Sequence, residues 1–243
     1  MAKVLIGCSG WAYRDWKGPF YPADLKDKDR LAFYQSRFPT TEINASFYRM
    51  PSEAAVQGWA ERAPPGFVYA WKASRFITHN KKLKDCEESI GFVLGRMAPL
   101  GTEGPVLFQL PPMLHLNLDR LSTFIGWLPK PRRYTFEFRH PSWYADEVLG
   151  LLADNDISLC ISDHHHAPSP WAATASFVYV RGHGPGGRYF GRYEEEQLRD
   201  WAGHAADWRA EGRDVFCYFD NDIKSAAPSD AQTLTGMVAA AGA

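Results

Sequence analysis

The run Tyr134-Thr135-Phe136-Glu137-Phe138-Arg139-His140 alternates aromatic and polar side chains almost without a break. Successive side chains of a strand point to opposite faces. Tyr134, Phe136 and Phe138 therefore share one face, and Thr135, Glu137 and Arg139 the other. An aromatic face suits a covering layer of helices. The opposite face carries charges, which are costly in a closed interior unless they are paired. The same division recurs where Glu42, Asn44 and Ser46 oppose Ile43, Ala45 and Phe47, and where Lys72 and Ser74 oppose Trp71 and Ala73. Gln109 and Asp163 end two further runs. Arg181 and His183 share a face, as do Tyr218 and Asp220.

Outward from this stretch, eight short apolar or β-branched runs read as strands: residues 4–9, 41–47, 67–74, 105–110, 134–140, 157–163, 177–181 and 215–220. Segments with helical spacing lie between them. In 194–211, Leu198, Trp201, Ala202, Ala205 and Trp208 form one stripe, and Gly212 follows as a C-terminal stop. Ser142 is expected to cap a helix over 143–153, and Asn117 one reaching Trp127; residues 229–240 supply a last helix. Eight strand–helix units predict an α/β fold, a (β/α)8 TIM-type barrel of parallel strands with outer helices, in one domain over residues 1–243. An open doubly wound sheet is the alternative. It would carry a glycine-rich first turn, whereas Ser9-Gly10-Trp11-Ala12-Tyr13 holds no GxGxxG.

With 243 residues, 45% of them hydrophobic, the chain has ample material for a core and is too apolar for disorder. A net charge of −1 argues against bulk electrostatic capture of nucleic acid or an anionic membrane. No apolar stretch is long enough to span a bilayer, and the opening residues show no signal-peptide pattern. Cys8, Cys86, Cys160 and Cys217 form no CxxC pair and read as reduced core cysteines, which fits a cytoplasmic location.

Barrels of this kind place their sites at the carboxyl ends of the strands, where the polar face above is concentrated. The loop 181–188 holds four glycines between two arginines and has the chemistry to cradle an anion. Aromatic residues crowd the rim: Trp11, Tyr13, Trp16, Phe47, Tyr48, Trp143, Trp171 and Tyr189. The three histidines 164–166 point in different directions and read as an exposed loop.

Several segments resemble the domain-of-unknown-function 72, or YecE-like, family. They are Gly7-Cys8-Ser9-Gly10-Trp11, Glu42-Ile43-Asn44, Lys72-Ala73-Ser74-Arg75, Leu107-Phe108-Gln109-Leu110-Pro111-Pro112, Glu137-Phe138-Arg139-His140-Pro141-Ser142-Trp143, Tyr179-Val180-Arg181-Gly182-His183-Gly184 and Tyr218-Phe219-Asp220-Asn221. The resemblance implies a (β/α)8 barrel and no established reaction. Its motifs fall on the polar face already identified.

Three functions compete. The first is a cofactor-free enzyme acting on a small anionic molecule, phosphorylated or carboxylated. Glu42, Lys72, Glu137 and His183 would do acid–base work. Trp11, Tyr13, Asn44, Ser74, Arg75, Gln109, Arg139, Trp143 and Arg181 would bind substrate. Glu42 and Glu137 as the paired carboxylates of a glycoside hydrolase are a variant. The second is a metal-dependent phosphodiesterase or endonuclease with ligands from Glu42, His79, Glu137, Asp163, His183 and Asp220, although the cations at the same mouth would repel a metal. The third is a non-catalytic binder of a small ligand or nucleic acid. The first is favoured and takes no metal; a membrane partner is not expected.

Overall fold

A computed structural model describes residues 2–241. Eight strands, β1 (Val4–Cys8), β2 (Thr40–Ile43), β3 (Val68–Lys72), β4 (Val106–Gln109), β5 (Tyr134–Glu137), β6 (Ser158–Ser162), β7 (Phe177–Gly182) and β8 (Asp214–Phe219), pair in parallel and in sequence order. The last closes on the first, with Val4 opposite Val215 and Cys8 opposite Phe219. The fold is thus the closed (β/α)8 barrel.

The alternation within each strand decides what lies on either side of the wall. Outward-facing Ile43, Trp71, Phe108, Phe136 and Leu159 join one core layer, and Ile6, Cys8, Val180, Cys217 and Phe219 another. The helices cover these layers: α1 (Arg30–Gln35), α2 (Ala45–Tyr48), α3 (Glu53–Arg62), α4 (Glu87–Met97), α5 (Leu118–Gly126), α6 (Asp146–Asp154), α7 (Glu195–Ala210) and α8 (Ala226–Ala241). The α7 stripe is buried as its spacing predicts. Its first turn is closed by a reciprocal capping box between Glu194 and Gln197, and Gly212 follows at φ +84°. Asn117 accepts from the Arg120 N–H and caps α5, as expected.

Inside the barrel, the inward residues grade from oil to charge. Leu5, Val68, Phe177 and Phe216 fill the amino-terminal end. Tyr179 and Tyr218, 5.1 Å apart, cross the middle. Ser9, Glu42, Lys72, Gln109, Glu137, Ser162, Arg181 and Asp220 end the strands at the mouth, all buried. Below the apolar layer, Arg133 lies over the rings of Phe177 and Phe216 and pairs with Asp214 at 2.6 Å, closing the barrel's base.

Three expectations change. The second strand ends at Ile43, because Ala45–Tyr48 turns into helix; Ser46 then bonds back to the carbonyls of Ile43 and Lys72. Ser142 sits in a short turn, Pro141–Trp143, and α6 starts later, at Asp146, with no side-chain cap. His164 is buried, unlike the exposed His165 and His166, with its ring 5.2 Å from that of His183. All four cysteines are buried free thiols. Among the described residues, no helix is long and apolar enough to cross a membrane.

Candidate functional site

The mouth has a floor and a wall. The floor is built around Arg181, near the end of β7. Its side chain is fully buried. Nη1 donates to Glu137 Oε2 at 2.8 Å. Nη2 donates to Glu42 Oε1 at 2.9 Å, Asp220 Oδ2 at 2.8 Å and Ser9 Oγ at 3.1 Å. Closure of the barrel makes this convergence possible, since the partners come from β1, β2, β5 and the end of β8. The carboxylates are filled in turn. Tyr179 donates to Glu42 Oε2 at 2.6 Å, and Ser9 donates to Oε1. Glu137 Oε1 takes Arg139 Nη2 at 2.5 Å and Ser162 Oγ at 3.2 Å. Burial alone would raise the Glu137 carboxyl, but Arg139 and Arg181 outweigh it and hold the group far below its ordinary range.

His183 completes the floor. Burial drives its imidazole well below the ordinary value, so the ring is neutral. Arg139 Nη2 and Arg181 Nη1 each lie 3.1 Å from Nε2, which must therefore accept. That fixes the proton on Nδ1, which faces Asp163 Oδ1 at 3.2 Å. Asp163 also accepts from the His183 backbone N–H and the Tyr193 hydroxyl, and burial lifts its carboxyl to about 6.

Above this floor opens a cleft of about 760 Å³, in the range of small-molecule sites. It is lined by Tyr13, Asn44, Phe47, Tyr48, Lys72, Gln109, Tyr189, Asp220 and Asp222, among others. Lys72 ends β3 with its ammonium 4.5 Å from the centre of the Phe47 ring. None of the described residues accepts a hydrogen bond from it. Burial, with the Arg181 charge, pulls the Lys72 amine down to about 8. Across the cleft, burial raises the Asp220 and Asp222 carboxyls; the Asp220 charge adds to the rise at Asp222, while Arg181 opposes both. Asp222 Oδ1 is buried without a partner. Burial, then the charges of Lys72, Arg75 and Arg139, lowers the nearby His79 to about 4. The cleft thus has a cation, Lys72, at the end of β3 and an acidic side after β8.

Of the sequence candidates, Tyr13, Asn44, Lys72 and Gln109 line the cleft, and Trp11 lines an adjoining slot. Glu42, Glu137, Arg139, His183 and Arg181 converge, but beneath it. Arg181 was expected to bind a ligand anion; four side-chain acceptors and His183 already occupy both its Nη groups, and it is fully buried, so it acts as a buried counter-ion. Glu42 and Glu137, likewise, are the acceptors of that counter-ion. Trp143 is not at the mouth at all. Its ring is fully buried, stacked 4.9 Å from Phe138, and its N–H donates to the Leu114 carbonyl at 2.6 Å. Ser74 Oγ accepts from the Phe76 N–H in a turn, and Arg75 is exposed at the rim. Two glycines of 181–188 are required by close packing of the backbone. A Cβ on Gly187 would stand 2.4 Å from the Asp163 carbonyl oxygen, and one on Gly184 2.3 Å from that of Phe190.

The proposed ligands of a metal do not assemble. Among the described residues, no three His, Cys, Asp or Glu side chains are grouped to hold an ion. Glu42, Glu137 and Asp220 each spend an oxygen on Arg181 instead. Sequence reasoning missed Asp222. It lies beyond the last strand, where alternation no longer applies; the one available signal was its spacing of two from Asp220.

Such an arrangement defines the class: a (β/α)8 barrel protein with a buried ionic floor and an open polar cleft at the carboxyl ends of its strands. The chain belongs to the family described as protein of unknown function DUF72, which matches residues 5–243. The UPF0759 protein YunF of Bacillus subtilis (strain 168) is similar over 90% of this chain and 89% of its own length, at 25% identity. A DUF72 family protein from Thermotoga maritima superposes with a TM-score of 0.89 at 25% identity, covering 98% of this chain and 99% of that one. One from Enterococcus faecalis shares the fold at a TM-score of 0.82 and 20% identity, over 97% and 95% of the two chains.

Proposed function

We propose that this barrel is an enzyme acting by acid–base chemistry on a small anionic substrate, phosphorylated or carboxylated, held in the cleft at its mouth. The observation that carries the reading is the Lys72 ammonium. Its side chain is almost wholly buried, it faces the cleft, and none of the described residues accepts a hydrogen bond from it. A buried cation without a partner is costly unless something brings it an anion. Arg75 adds positive charge at the rim on the same side, and Gln109 offers an amide for orientation.

Acid–base work falls to groups whose protonation changes near neutral pH. Lys72, pulled down to about 8, is one. Asp220 and Asp222, which line the same cleft and whose carboxyls burial raises, are the acids placed to work with it. Lys72 keeps the role that its sequence position suggested. Glu42, Glu137 and His183 become positioning groups, which hold Arg181, and through it Asp220, in place. Nucleic acid is the less favoured substrate, because the cleft is lined by three acids, Asp15, Asp220 and Asp222, against two bases, Arg14 and Lys72.

A thermal-shift screen of sugar phosphates, carboxylates, oligosaccharides, nucleotides, divalent metals and short single-stranded DNA tests the reading. A ligand at 100 times its dissociation constant adds roughly 2.7 kcal/mol. The expected result is a shift with one small-anion class that disappears in Lys72→Met. A shift with metals or DNA alone would overturn the reading.

A further inference from the structure

Beside the charged cleft lies a second depression of about 330 Å³, lined by Trp11, Tyr13, Ile43, Tyr48 and Trp59. Its walls are almost entirely apolar. Trp11 and Trp59 meet edge to face at 5.3 Å and 89°, so the two indoles form a corner. Tyr48 stands on the opposite rim, 69% exposed. The two depressions are continuous, because Tyr13, Asn44 and Tyr48 line both. At their junction, Asn44 Oδ1 is buried and has no hydrogen-bond partner among the described residues. A buried acceptor of this kind calls for a donor.

We infer that the mouth takes a two-part ligand. A flat aromatic or heteroaromatic ring fills the Trp11–Tyr48–Trp59 slot. An N–H or O–H donor, on the ring or its link, satisfies Asn44 Oδ1. The anionic part reaches into the cleft beside Lys72. The inference rests on reading that cleft as an anion site and narrows its substrate class to aryl- or heteroaryl-bearing anions. Three separate features support it. The slot has the aromatic walls that favour ring stacking. It opens onto the charged cleft and not onto bulk surface alone. The unsatisfied Asn44 oxygen lies where the two parts of such a ligand would join. A bare sugar phosphate would leave the indole corner empty.

The experiment compares phenyl phosphate with inorganic phosphate by calorimetric titration of the full chain, in wild type, Lys72→Met, Trp59→Ala and Trp59→Leu. The leucine variant keeps an apolar side chain on α3 while removing the flat ring, in case the alanine variant does not fold. In wild type, phenyl phosphate is expected to bind at least about tenfold more tightly than phosphate. Either Trp59 variant should erase that advantage and leave phosphate affinity unchanged. Lys72→Met should weaken both. Equal affinities in wild type, with both lost in Lys72→Met, would overturn the slot and leave the anion site standing. An advantage that survives in the Trp59 variants would also overturn the slot. If neither compound binds, the anion site falls and the two-part ligand with it.

Discussion

Arg181 and Lys72 are both buried cations at the carboxyl ends of barrel strands, yet their surroundings are opposite. Arg181 meets three carboxylates, a serine hydroxyl and a histidine nitrogen, all supplied by the protein. Lys72 meets an aromatic face and an open cleft. The same contrast divides the acids. Glu42 and Glu137 have both oxygens bonded, whereas Asp222 keeps a buried oxygen with no partner. Ionisable residues at a barrel mouth therefore do not all report the same thing. Arg181, with both Nη groups filled though its Nε is not, belongs with Glu42 and Glu137 to the support, and Lys72 and Asp222, which line the cleft, are left for a ligand.

The sharpest way to break this contrast is to cut the floor. Arg181→Ala would leave three buried carboxylates without their shared partner. It should cost about 3–5 kcal/mol or prevent folding, read as the urea midpoint. A variant that folds normally and merely loses anion affinity would move Arg181 into the site. Lys72→Met should do the reverse. It should lower turnover of a small-anion substrate by about a thousandfold, within the range for acid–base groups, while leaving stability at pH 7 intact or higher. The sign follows from linkage. The folded-state amine titrates near 8 and the unfolded one in the ordinary lysine range, so between them the unfolded chain holds more protons. Wild type should therefore gain stability relative to Lys72→Met as pH rises from about 8, by up to ~1.4 kcal/mol per pH unit. A flat difference curve would place Lys72 in water.

Asp222→Asn should reduce turnover by about a hundredfold and leave stability unchanged or slightly raised, because it removes a charge that burial and Asp220 both disfavour. Lost stability would make Asp222 part of the support. A smaller effect is expected in the pH dependence of phenyl phosphate binding. Affinity should climb to about pH 6 as the dianion forms and fall above about 8 as Lys72 loses its proton. The least is expected of Tyr189→Phe, which removes the hydroxyl that Arg139 Nη1 contacts at 3.0 Å. It should cost about 1 kcal/mol or less in the urea midpoint.

The barrel was legible because period-two alternation is a local property. Phe136 and Phe138 declare the outer face of β5 and Glu137 the inner one without reference to any other strand. The capping of α5 by Asn117 and the stop at Gly212 are equally local. Boundaries were lost where a helix adopts a strand-like pattern, as in Ala45-Ser46-Phe47-Tyr48. At the site, alternation found the inward residues but not which of them satisfy one another. That depends on closure, which brings Glu42, Glu137 and Asp220 to one guanidinium from strands far apart in sequence. Trp143 shows the converse limit: an aromatic residue just after a strand end belongs to the rim or to the outer core depending on one turn of backbone, and Pro141–Trp143 turns it outward into the core.

The measurement that bears most directly on the account is a ¹³C NMR titration of the chain labelled at lysine Cε, with Lys72 assigned by its absence from Lys72→Met. One lysine is expected to show a midpoint near 8, moving upward when inorganic phosphate is added, because a bound anion favours the ammonium. A Lys72 midpoint in the ordinary lysine range, unmoved by phosphate, would contradict it.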